Sequence, residues 1–129
     1  MRKFKFSKLI RDKIADAIVK AGGKVNQRIL DDKEYIEELK KKLVEEAREL
    51  ENAPQEDLLE EICDVQEIID YLVEVLQSSQ KEIERIRKQK EEKAGSFKRR
   101  IYVETVEVPD DYQWIPHYLS DPERYPEIK

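Results

Sequence analysis

Apolar positions along this chain recur at two different periods. Leu9, Ile10, Ile14, Ala17 and Ile18 return at helical spacing and predict a helix over 8–20, with Ser7 placed to cap it and Gly22-Gly23 to end it. Ile36, Leu39, Leu43, Ala47 and Leu50 predict a second helix over 33–51, capped by Asp31 or Asp32 and broken at Asn52-Ala53-Pro54. The most apolar segment, 55–77, carries a stripe of Leu58, Ile62, Val65, Ile69, Leu72 and Leu76, widened by Leu59, Ile68, Val73 and Val75. So wide a face predicts burial against more than one neighbour. After Ser78-Ser79 comes a polar helix over 80–93, with only Ile83 and Ile86 as apolar positions and Gly95 as its end. The period shortens to two in 24–30 and in 100–108, which predicts short strands, and Lys3-Phe4-Lys5-Phe6 predicts a brief extended segment. Prolines 109, 116, 122 and 126 predict an irregular arm over 109–129. The expected architecture is all-α: a helical bundle over 1–108 with short peripheral strands and an extended C-terminal arm.

Composition narrows the class. Charged residues make up 43% of the 129 positions, yet the apolar ones are periodic rather than scattered, which argues for a folded chain. The net charge of −5 disfavours a general nucleic-acid-binding role. Cys63 is the only cysteine, so an internal disulfide and a cysteine-only metal cluster are excluded, and its neighbours Ile62 and Val65 predict a semi-buried filler. The N-terminal run has no secretory apolar core and no stretch approaches membrane-spanning length, so no membrane association and a cytoplasmic location are expected. Tyr112, Trp114, His117, Tyr118 and Tyr125 enrich the arm in aromatic groups, which suits a subunit interface.

The candidate chemistry lies in carboxylates beside the apolar seams. At about 100° per residue, the seam of the second helix spans an arc of about 80°; Glu46 falls roughly 20° outside it, Glu49 further round, and Glu45 points away. On the next helix Glu61 sits at the edge, Asp64 one step beyond, and Glu60 points away. The short connection favours antiparallel packing, which brings Glu46/Glu49 and Glu61/Asp64 to similar heights. Four carboxylates there repel unless protonated or bridged by a cation. Hard oxygen ligands suit Mg²⁺, with Mn²⁺ as the alternative; zinc is disfavoured because the sole histidine, His117, is in the arm. Acidic residues are also common on plain solvated helix faces, and this chain has 30 of them.

The pairs Glu46-Ala-Arg-Glu49 and Glu61-Ile-Cys-Asp64, with eleven residues between them, resemble the E-x-x-E … E-x-x-D signature of the MazG-like all-α nucleoside triphosphate pyrophosphohydrolases. Lys8-Leu-Ile-Arg-Asp-Lys-Ile14, then Asp32-Lys-Glu-Tyr35 with Leu39 and Lys42-Leu43, then Gly95-Ser-Phe97 with Arg100-Ile101, are similar to runs of a phosphoribosyl-ATP-pyrophosphohydrolase-like subgroup. Together they cover roughly 8–102. Ala15 stands where that subgroup has proline, and Ser96 where it has a second glycine, which leaves substrate identity open. The resemblance implies a homodimer or homotetramer that cleaves nucleoside triphosphates between the α and β phosphorus atoms.

On that reading Glu46, Glu49, Glu61 and Asp64 are the expected metal ligands, and Glu46 or Glu49 the acceptor of a water proton. Arg11, Lys13, Lys93, Lys98, Arg99 and Arg100 are candidate phosphate contacts, and Phe97 a candidate cover for a base. Two alternatives stand beside it. One is a phosphoribosyl-ATP pyrophosphohydrolase of histidine biosynthesis. The other is a non-catalytic helical adaptor, which gives no reason for carboxylates beside both seams.

Overall fold

The computed structural model describes residues 1–129 and is all-helical, with five α-helices: α1 (Asp12–Lys20), α2 (Asp32–Asn52), α3 (Leu58–Val75), α4 (Gln80–Ala94) and α5 (Ile115–Leu119). A 3-10 turn, Gln55–Asp57, leads into α3. The chain divides into two compact units, Met1–Glu92 and Lys93–Lys129.

In the first unit α2 and α3 are the only helices in extensive contact. They run antiparallel: Glu46 meets Glu61 and Asp64 at one end, while Tyr35 feels Glu74 and Tyr71 at the other. Leu39 on α2 is the one fully buried side chain, at 2% exposure. Ile36, Leu43 and Leu50 on its side of α2, and Leu58, Val65, Ile69 and Leu72 on α3, are half-buried. The expected seam is thus largely present, but Ala47, Ile62 and Leu76 are exposed, and so is Leu59. One neighbouring helix cannot cover a face as wide as that of α3. Cys63, expected as a semi-buried filler, is exposed as well.

Helix α2 starts where its sequence says it should. Asp31 is in extended conformation and its carboxylate accepts the Glu34 backbone N–H at 2.9 Å. That bond satisfies one of the first-turn donors that the helix cannot pair internally. Asp31→Ala is expected to cost about 1 kcal/mol of stability; an unchanged denaturation midpoint would show that the cap carries nothing. Helix α1, by contrast, begins later than expected. Ser7 does not cap it: its backbone is left-handed, with φ 47°, and the residue that precedes the helix is Arg11, in extended conformation. Gly22, at φ 90°, and Gly95, at φ 85°, follow the ends of α1 and α4 in the left-handed conformation that glycine adopts without a Cβ clash.

The peripheral strands are absent: residues 24–30 and 100–108 form no strand, nor do residues 3–6. Alternation prepares a segment for extension, but a strand also needs a partner to take its backbone hydrogen bonds. None is provided, and Ile29 is 93% exposed.

The second unit is not wholly irregular. It contains α5, where Pro116 near the N-terminus replaces an N–H that would have had no helical acceptor. Its aromatic residues pack on one another: the Tyr118 ring lies 5.1 Å from Tyr125, 6.1 Å from His117 and 6.4 Å from Tyr112, centroid to centroid.

Candidate metal centre

The antiparallel pairing of α2 and α3 brings three of the four expected carboxylates together. Glu46, Glu61 and Asp64 each place an oxygen within 4.8 Å of the others. The fourth, Glu49, is exposed one turn along α2 and lies outside the group, near enough to add to the rise that burial causes in the Glu46 pKa. Its position follows from the helical angle, since Glu49 lies well outside the seam that α3 covers.

The cluster is electrostatically strained. The Glu46 side chain is only 12% exposed. Burial pushes its pKa up, and the neighbouring Glu49 and Asp64 push the same way, while Lys42 opposes them from 3.5 Å. Burial, followed by Asp64 and Glu46, raises the pKa of Glu61 too. Glu61 Oε2 is shielded from solvent and has no hydrogen-bond partner. A buried carboxylate oxygen without a donor is costly, and such atoms are rare. An all-oxygen set with one unsatisfied buried oxygen fits a hard divalent cation of the Mg²⁺ type.

These raised values fix the sign of a pH effect. Both groups hold protons more tightly in the folded chain than in the unfolded one. Stability is therefore greatest while they are protonated, falls as pH rises through the elevated folded values, and stays reduced above them. With divalent cations chelated, Glu46→Gln should melt about 2–5 °C above wild type at neutral pH, and the difference should vanish in acid. A lower midpoint for the variant at neutral pH would contradict the strain.

Two basic residues lie against the cluster from the segment before α1. Lys8 Nζ bonds Glu45 Oε1 at 2.8 Å, and this pairing holds the Glu45 carboxyl below its usual range. Arg11 Nη2 is 3.2 Å from Asp64 Oδ1 and 2.5 Å from Glu67 Oε2. Lys13 instead lines a surface hollow with Asp16, Ala17, Val19 and Lys20. Lys93, Phe97, Lys98, Arg99 and Arg100 belong to the second unit, where Phe97 is fully exposed and Arg100 has a left-handed φ of 57°.

Glu67 and Tyr71 were not evident as members of this site. Glu67 accepts from the Tyr71 hydroxyl at 3.2 Å and from Arg11, whose hydrogen bond lowers its pKa. The available signal was spacing: Glu67 continues the three-residue row of Glu61 and Asp64, and Tyr71 follows one turn later.

No helix is long and apolar enough to cross a membrane. No family model, no curated protein and no solved structure matches the chain.

Proposed function

We propose that the protein is an Mg²⁺-dependent nucleoside triphosphate pyrophosphohydrolase, releasing nucleoside monophosphate and pyrophosphate. The observation that carries this reading is the convergence of Glu46, Glu61 and Asp64 around a buried oxygen of Glu61 that has no partner. Glu46, Glu61 and Asp64 would hold the cation, with Glu49 beside them. When bound, Mg²⁺ supplies charge neutralisation for phosphate oxygens and lowers the pKa of a coordinated water. The chain's own groups do the rest. Glu46, or Glu49 one turn along α2 from it, would take a proton from the attacking water. Arg11 offers its guanidinium to phosphate oxygens at the edge of the cluster.

Product analysis by ³¹P NMR tests the bond that breaks. Monophosphate and pyrophosphate are expected; diphosphate and orthophosphate would contradict it. Phosphoribosyl-ATP run beside the ribo- and deoxyribonucleoside triphosphates separates nucleoside triphosphate hydrolysis from the reaction of histidine biosynthesis.

A homo-oligomer is part of the proposal. Ile14 and Val19 on α1, Val44 on α2, Leu59 and Ile62 on α3, and Leu76 just after α3 are each at least 49% exposed. Apolar surface of that extent favours association with a second copy.

A further inference from the structure

Arg11 is tied to the carboxylate cluster in a way that phosphate contact alone does not explain. A single nitrogen, Nη2, touches both Asp64, at 3.2 Å, and Glu67, at 2.5 Å. Asp64 belongs to the three-carboxylate cluster, whereas Glu67 does not. Both oxygens of Glu67 are engaged, Oε2 by Arg11 and Oε1 by the Tyr71 hydroxyl. Glu67 is thus a second partner for the guanidinium outside the cluster, and Asp64 is the partner that a cation would also seek. The Arg11 side chain is 59% exposed, so its pairing is weakly held and exchangeable. Its other guanidinium N–H groups are left to donate elsewhere.

Resting on the metal-dependent reading above, we propose that Arg11 is a competing counter-cation: a divalent ion on Asp64 displaces the guanidinium, and Glu67 keeps the displaced group beside the cluster for a substrate phosphate. Two positive groups on one carboxylate repel, so Arg11 and the ion oppose each other when only the ion is added. A triphosphate reverses the sign of the coupling, because its negative charge accommodates both. Such coupling is reciprocal, so whatever weakens Arg11's hold on Asp64 tightens ion binding by the same factor.

The test is calorimetric titration of the full chain with Mn²⁺ alone, followed by steady-state kinetics on a nucleoside triphosphate with Mg²⁺. Arg11→Gln should bind Mn²⁺ about 3–10-fold more tightly than wild type while kcat/KM falls about 10–100-fold, mostly through KM. Lys20→Gln removes an equal charge from the far end of α1 and should leave Mn²⁺ affinity unchanged. Arg11→Lys keeps the charge and should restore wild-type Mn²⁺ affinity, with only part of the turnover, because an ammonium lacks the planar fork. Equal Mn²⁺ affinity in wild type and Arg11→Gln overturns the exchange and leaves the metal reading standing. Weaker Mn²⁺ binding in Arg11→Gln, with lower turnover, would mean that Arg11 only holds α1 to α3, and would also overturn it. A wild type that takes up no Mn²⁺ overturns the metal reading and the exchange together.

Discussion

Glu61→Gln is expected to lower Mg²⁺-dependent triphosphate hydrolysis by at least about 100-fold, and Asp64→Asn to do the same. The amide has nearly the shape of the carboxylate, so the helices keep their packing. What disappears is charge, at the residue whose Oε2 is buried without a partner. The new amide N–H groups would also find ready acceptors in Glu46 and Asp64, which share the cluster. The variant is therefore expected to be inactive yet no less stable than wild type when divalent cations are chelated. That combination separates a functional cluster from a structural one, because a group that holds the fold together loses stability when neutralised. Kinetics over a range of Mg²⁺ concentrations, with thermal melts in chelator, give both quantities. Full turnover in Glu61→Gln would remove the metal centre from the account.

Leu39→Ala is expected to carry the largest stability cost of any single change, about 2–5 kcal/mol. A small helical domain has about 5–15 kcal/mol in total, so much of the folded population is at stake. Leu39 is the one side chain removed almost entirely from water. The truncation leaves a cavity between elements that have little other deep packing to relax into. Leu59, on α3, is 73% exposed, and Leu59→Ala should change stability by less than about 0.5 kcal/mol. Chemical denaturation of the two variants checks the contrast. A loss below about 1 kcal/mol for Leu39→Ala would show that the α2–α3 seam does not hold the fold.

The features that could be read from sequence are those set by local geometry. Asp31 was a candidate cap and is the cap. The seam residues Leu39 and Val65, and the carboxylates Glu46, Glu61 and Asp64, follow from a rotation of about 100° per residue once α2 and α3 lie antiparallel. The failures share a different cause. Val25 and Ile29 alternate with polar residues, but alternation cannot say whether a second strand is present to pair with them. Ile62 and Cys63 were expected under cover because α3 is apolar, yet burial depends on how many neighbours arrive, and within this chain only α2 makes extensive contact. Arg11 was legible as a basic residue in a suggestive motif. Its tie to Glu67, 56 positions away, depends on tertiary placement that no local pattern encodes.

The proposed function is that of a metal-dependent pyrophosphohydrolase built on this carboxylate cluster. Its most direct test is pyrophosphate release from a panel of ribo- and deoxyribonucleoside triphosphates and phosphoribosyl-ATP, measured in chelator and again after Mg²⁺ is restored. Release is expected to be absent in chelator and to return with Mg²⁺ for at least one member of the panel. Release that persists in chelator, or no release from any member with Mg²⁺ present, would contradict it.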